Sequence, residues 1–286
     1  MLGKNDSFPE HGSFDHPVSP LGSGSLTIFA GCVVVRISGV PEHLLDPMRE
    51  RYAPFLANSR PDHEVTLEAG ASSYLHHVPG TLLRLEEAKD GDGAILASHN
   101  FAARREASRG RLKLSEPFSA RDSLLAVENY LRWTIADLVL DREGFLFHAS
   151  AVVREGRAYV FFGPSGAGKS TIVSLSPALQ ILSEDMVLLI RADGEWRAAT
   201  TPFKADKRVM FPIGGLYRLM QAPANRLATM SLGVAVGIVM ACCPFVTRPS
   251  ARHDKLLPLV ESCCREAGVW ELRFRKDPGF WDLIMR

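Results

Sequence analysis

The stretch that most constrains this chain is AYVFFGPSGAGKST, Ala158 to Thr171. An apolar run, Tyr159 to Phe162, passes without a polar break into Gly163-Pro164-Ser165-Gly166-Ala167-Gly168-Lys169-Ser170. Runs of this kind read as strands buried on both faces, as in sheets covered by helices on either side. The glycine-rich segment fits G-x-x-x-x-G-K-[ST]. Glycines let backbone N–H groups turn inward around a polyphosphate, where a side chain would block the approach. Lys169 supplies a compact cation for the β- and γ-phosphates, and the Ser170 hydroxyl a ligand for Mg²⁺. Gly163, Ser165, Gly166, Ala167, Gly168, Lys169, Ser170 and Thr171 are the expected phosphate-binding residues. The apolar strand before them and the helix-permissive Lys169–Leu175 after them supply the context this chemistry needs.

The rest of the composition sets bounds. The chain has 286 residues, 46% hydrophobic and 23% charged, which is ordinary for a soluble globular protein. A formal net charge of +1 gives no global field toward nucleic acid or an anionic membrane. The apolar run Leu232–Val246 is shorter than the ~18–20 residues of a spanning helix and is interrupted by Pro244, so it reads as a buried helix or strand of the core. The N-terminal segment is dominated by Gly, Ser, Pro and Asp. It has no basic region followed by an apolar core, so it reads as neither signal peptide nor membrane anchor. Residues 1–24 are expected to form a disordered tail. The five cysteines, Cys32, Cys242, Cys243, Cys263 and Cys264, form no CxxC pair and no zinc spacing, which fits a reducing, cytoplasmic setting with the thiols as small buried groups.

Two domains are expected, in an α/β fold. Residues 25–118 read as a small α/β domain. Its strand signals are Leu26–Ile37, closing at Ser38-Gly39, then Glu64–Glu68 and Arg111–Glu116, with a hairpin at the Asp-Gly turns of Lys89–Leu96. Pro41–Leu56 predicts a short helix bent or ended near Pro47 and Pro54. His76 and His77 read as solvated surface. The second domain, 119–286, opens with an amphipathic helix over Ser123–Asp141, since Leu124, Val127, Leu131, Ile135 and Leu138 step by three or four, with Tyr130 and Trp133 at its margin and Gly144 ending it. Phe145–Gly163 predicts two strands turning at Arg154-Glu155-Gly156.

About a dozen residues after the glycine-rich segment, ALQILSEDMVLLI places Glu184-Asp185 between two apolar runs. Adjacent carboxylates beside a metal can divide the labour, one neutralising charge and the other accepting a proton. Lys204, Lys207 and Arg208 lie close together after a Thr-Pro turn, where cations can meet phosphates or an acidic substrate. Arg248 and Arg252 have weaker claims to such a role.

His148, Val152-Val153, Gly156, Tyr159–Phe162, GPSGAGKS and Ser183-Glu184-Asp185, in that order, resemble the HPr kinase/phosphorylase family and its related serine kinases. Gly268–Ile284 resembles the end of that branch. The resemblance implies a P-loop core with a mixed, strand-rich sheet, related to phosphoenolpyruvate carboxykinase. It implies ATP and Mg²⁺ as cofactors and phosphoryl transfer to a serine hydroxyl of a protein or peptide, with homo-oligomeric assembly common in the family. By position it implies that Asp185 helps Ser170 hold Mg²⁺, that Glu184 takes the acceptor proton, and that His148 sits near the phosphates or orients the acidic pair. The family carries Asp where this chain has Glu184. The alternatives are a small-molecule kinase on the same core and a non-catalytic ATP-sensing regulator. Residues 25–118 would select the substrate; neither nucleic acid nor membrane is an expected partner.

Overall fold

The computed structural model describes residues 14, 19–70, 74–75, 85–115, 119–245 and 250–285. His76, His77, Arg248 and nearly all of segment 1–18 lie outside them. The chain divides into two compact units, Met1–Thr134 and Ile135–Arg286. The division falls inside the helix expected to open the second domain.

In the first unit, β1 (Gly24–Ala30) and β2 (Val33–Val40) form an antiparallel hairpin. The apolar run Leu26–Ile37, which reads as one strand, is therefore folded in half. Its turn sits at Gly31-Cys32, and Gly31 has φ 67°, a conformation glycine adopts without a Cβ clash. The strand also runs through Ser38-Gly39 instead of closing there. Helix α1 (Glu42–Tyr52) crosses from β2 to β3 (His63–Ala69), which pairs parallel to β2. Pro47 lies within α1 without ending it; the helix gives way to a 3₁₀ turn at Ala53–Phe55. Leu44, Met48 and Tyr52, four apart, bury one face of it. Strands β4 (Glu86–Asp90), β5 (Gly93–Ala97), β6 (Phe101–Arg105) and β7 (Arg109–Leu114) complete a seven-stranded sheet in the order β1-β2-β3-β7-β6-β5-β4. The β4–β5 turn falls at the Asp-Gly repeat.

Helix α2 (Ala120–Leu138) starts three residues earlier than its apolar periodicity because Ser119 caps it, accepting from Asp122 N at 3.0 Å. Tyr130 and Trp133, expected at the helix margin, are fully buried. Each has a polar partner: Tyr130 Oη lies 2.7 Å from His63 Nε2, and Trp133 Nε1 donates to Glu87 at 2.8 Å. The helix tightens into a 3₁₀ turn at Val139–Arg142 and ends at Glu143, not Gly144, with Glu143 at φ 55°.

The second unit is built on β8 (Gly144–Arg154), β9 (Arg157–Phe162), α3 (Lys169–Ser174), β10 (Gln180–Ser183), β11 (Met186–Ala192), β12 (Glu195–Ala199), β13 (Met210–Gln221), β14 (Arg226–Thr229), α4 (Leu232–Ala241), α5 (Ser250–Ala267), β15 (Val269–Phe274) and α6 (Trp281–Ile284). Two long strands each serve three ladders. The first half of β8 pairs with β11 and its second half with β9 and β10. The start of β13 pairs with β12, and the remainder runs parallel between β9 and β15. The ladders β8–β11–β12–β13–β9–β8 therefore close a circuit within an eight-stranded sheet.

Alternation along the strands builds two cores. Phe147, Ala149, Val160, Phe162, Leu216 and Val269 pack with α4 and α5, whereas Val152, Phe161, Tyr217, Leu219, Leu272 and Phe274 pack with Ile172 of α3 and Trp281 of α6. Burial on both sides is the reason Tyr159–Phe162 carries no polar residue.

Helix α4 departs from the expectation of a buried segment. Only Ala235 and Val239 are buried, and Val234 is 53% exposed, because α4 packs on α5 and β15 along one stripe while it is apolar all round. Among the described residues no helix is long and apolar enough to cross a membrane. Cys243, Cys263 and Cys264 are buried thiols; Cys32 and Cys242 are only partly so.

Candidate phosphate-loop site

The segment Gly163–Gly168 leaves the C-terminal end of β9 and enters α3 at Lys169. Gly166 and Gly168 hold φ 79° and 109°, conformations that other residues adopt only with strain. A Cβ on Gly166 would meet nothing within 4 Å, so the tip of the loop is open. The loop is tied down from below. Ala167 N donates to Pro164 O at 3.1 Å, and Gln221 Nε2, at the end of β13, donates to Gly166 O at 2.8 Å.

Lys169 folds back over the loop, its Nζ donating to Gly163 O at 2.9 Å and Pro164 O at 3.4 Å. Burial pushes its pKa down, and Cys242 and Asp185 oppose that shift, which places both groups within electrostatic reach of the ammonium. Ser150 Oγ donates to Lys169 O at 3.3 Å from β8. Ser165 and Ser170 are exposed, and Thr171 is half-buried.

The acidic pair forms the turn between β10 and β11. Ser183 Oγ donates to Met186 O at 2.6 Å and accepts from Asp185 N at 3.3 Å, which tightens the turn. Ala149 N donates to Asp185 O at 3.0 Å and pins it to β8. His148 lies opposite Met186 in the ladder, with Nε2 3.8 Å from Asp185 Oδ1. The structure thus brings Lys169, Asp185 and His148 together. Glu184, beside them on the turn, is exposed.

Lys204, Lys207 and Arg208 are exposed on the loop between β12 and β13. The root of that loop adjoins the acidic turn, since Thr201 Oγ1 donates to Met186 O at 2.9 Å, and Lys204 holds a left-handed φ of 89°. Arg252 belongs elsewhere. It is 5% exposed, pairs with Asp137 at 2.6 Å and donates to Phe245 O, so its role is structural rather than that of a phosphate ligand. Among the described residues no three His, Cys, Asp or Glu side chains gather as a ready-made metal cage.

Sequence reasoning missed four residues here: Cys242, Arg218, Gln221 and Phe274. Cys242 O accepts from His148 N at 2.9 Å, and the thiol, its pKa raised by burial, feels both Lys169 and Arg218. Phe274 covers Gly168. None carries a local motif, and each arrives through strand pairing or helix packing.

No family model matches the chain, and no curated protein does. Among solved structures it is similar to the HPr(Ser) kinase/phosphatase from Coxiella burnetii, at 12% sequence identity and a TM-score of 0.23, over 42% of this chain and 88% of that one.

Proposed function

We propose that the protein is a kinase that uses ATP and Mg²⁺ to phosphorylate a serine hydroxyl of a protein or peptide. The observation that carries this reading is the gathering of Lys169, Asp185 and His148 at the mouth of the Gly163–Ser170 loop. The residues fit a magnesium-bound triphosphate. The tip of the loop is open at Gly166, a cation stands at its mouth, and a carboxylate stands within reach of that cation.

In this reading the backbone of Gly163–Gly168 and the ammonium of Lys169 hold the phosphates, and Ser170 and Asp185 hold the metal. Bound MgATP supplies an electrophilic γ-phosphorus: the serine oxygen–phosphorus bond forms as the bridging bond to ADP breaks. Glu184, exposed beside Asp185, takes the serine proton. His148 positions Asp185. Catalysis is then mainly positioning and charge neutralisation, as is general for phosphoryl transfer.

The test is transfer of labelled γ-phosphate to serine peptides, alongside nucleotide binding. The wild type should bind ATP with Mg²⁺ and label peptide. Glu184→Gln should keep binding and lose transfer by about 10²–10⁴-fold, the usual contribution of a general base. A wild type that binds no nucleotide sinks the reading.

A further inference from the structure

A row of guanidinium groups leads away from the phosphate loop across β13, β15 and β14. In the parallel β13–β15 ladder Arg218 stands opposite Glu271, and in the antiparallel β14–β15 ladder Glu271 stands opposite Ala228. One step further along the same face, Met220, Arg273 and Arg226 form the next rank. Directly opposed residues share a sheet face, so Arg218, Glu271, Arg273 and Arg226 lie on one face, three guanidinium groups to one carboxylate.

That carboxylate is shared. Arg273 Nε lies 2.9 Å from Glu271 Oε1, and Arg218 reaches Glu271 Oε2 at 3.7 Å. Among the described residues Arg226 meets no carboxylate at ion-pair distance. It faces Arg273 instead, and like charges directly opposite on antiparallel strands destabilise the pair. The sheet thus carries a local excess of positive charge that an anion would relieve. The excess is local to this face, since the whole chain has a formal net charge of only +1.

The row also has an address. Arg218 stands opposite Phe162, the residue before Gly163, and Arg273 lies one rank further along the same face. The side chains are open to solvent, at 33% for Arg218 and 50% for Arg273, and Arg226 is exposed.

We propose that this row is the docking track for the acceptor, and that it selects a polypeptide carrying Asp or Glu residues beside the target serine. The proposal rests on the kinase reading for the words acceptor and serine; the acid-binding surface itself does not. Arginine forks match carboxylates two bonds at a time, which suits side chains spaced along an extended peptide.

The test uses the full chain and a fluorescein-labelled peptide with a central serine flanked by glutamates, against the same peptide with glutamines. Anisotropy should give binding at least about tenfold tighter for the acidic peptide, and the advantage should shrink as salt rises. The doubly substituted R226Q/R273Q should lose the advantage, R226K/R273K, which keeps the charge but not the fork, should keep only part of it, and binding of a fluorescent ATP analogue should be equal in all three. Equal binding of the two peptides, or an unchanged preference in R226Q/R273Q, overturns the proposal. So does a single-stranded oligonucleotide of matched charge that binds the wild type as tightly as the acidic peptide. A wild type that binds nucleotide but shows no peptide preference sinks the track alone. Preference without nucleotide binding sinks the kinase reading and leaves the acid-binding surface standing.

Discussion

The ring of Phe274 occupies the space that a side chain on residue 168 would need: a Cβ built on Gly168 lies 2.5 Å from Phe274 Cζ. The backbone there also holds φ 109°. Gly168→Ala therefore meets two obstacles, a left-handed conformation that costs about 1–3 kcal/mol and an aromatic wall. The substitution should lower the melting temperature and abolish nucleotide binding together. Phe274→Ala in the same chain removes the wall but not the backbone strain, so the double variant should regain only part of the loss. Calorimetry with titration of a fluorescent ATP analogue reads both quantities, and full recovery in the double variant would locate the whole effect in the ring.

Lys169 and the two carboxylates separate by readout. Lys169→Met removes the cation at the mouth of the loop, where charge-assisted phosphate bonds are each worth roughly 1.5–3 kcal/mol, so nucleotide affinity should fall by about tenfold or more. Asp185→Asn should weaken binding chiefly when Mg²⁺ is present, because Asp185 is the carboxylate near Lys169 and His148. Glu184→Gln should leave binding unchanged with or without Mg²⁺. Titrations with Mg²⁺ and with EDTA check this; a metal-dependent effect in Glu184→Gln but not in Asp185→Asn would reverse the two roles.

The legibility of this site from sequence follows the distance over which its chemistry is encoded. The phosphate loop is local, so Gly163 to Ser170 announces itself, and Glu184-Asp185 stands out as a polar pair between two apolar runs. His148 was readable only through its order relative to these. Arg218 was not readable at all, since it reaches the loop because β13 inserts between β9 and β15. In the first unit the strands with alternation, β3 and β7, were visible, whereas FAARR in β6 has no such pattern and becomes a strand through its two neighbours. The Gly31 turn was hidden because the residues on both sides of it are apolar. Arg252 shows the converse error: a cation in a polar stretch reads as a ligand until its buried partner is seen.

His63 gives the first unit a pH dependence. Its ring is buried, and burial, with Arg105 nearby adding to it, holds its pKa down at about 4 against an ordinary 6.5. Tyr130 Oη, its neighbour at 2.7 Å, is itself kept protonated by burial, which raises that pKa. Above pH 6.5 the imidazole is neutral folded or unfolded, and the unit has its full stability. As pH falls from 6.5 toward 4 the unfolded chain takes up a proton that the folded one refuses, so stability drops by an amount on the order of 3 kcal/mol. Hydrogen exchange in β3, followed over that range, should show the loss. His63→Gln should flatten it, and an unchanged slope in that variant would assign the pH dependence to other groups.

Arg252 and Asp137 make the sharpest contrast with a ligand role. The Arg252 side chain is 4% exposed while that of Asp137 is 32% exposed, so the pair is buried from one side only. Arg252→Ala removes an ion-pair partner of Asp137 and a donor to Phe245 O. Breaking a buried pair costs about 3–5 kcal/mol; with Asp137 still reaching water, about 2–3 kcal/mol is the expected loss. Asp137→Ala takes the carboxylate from a guanidinium buried to 4% exposure, and should cost at least as much. The double variant should be more stable than the sum of the single losses predicts, because the two groups are in contact and each single loss counts their shared ion pair. Nucleotide affinity should be the same in all of them. Denaturant melts of the four proteins, each with a nucleotide titration, check both halves of the argument. An Arg252→Ala variant of normal stability with weakened nucleotide binding would return this residue to the phosphate site.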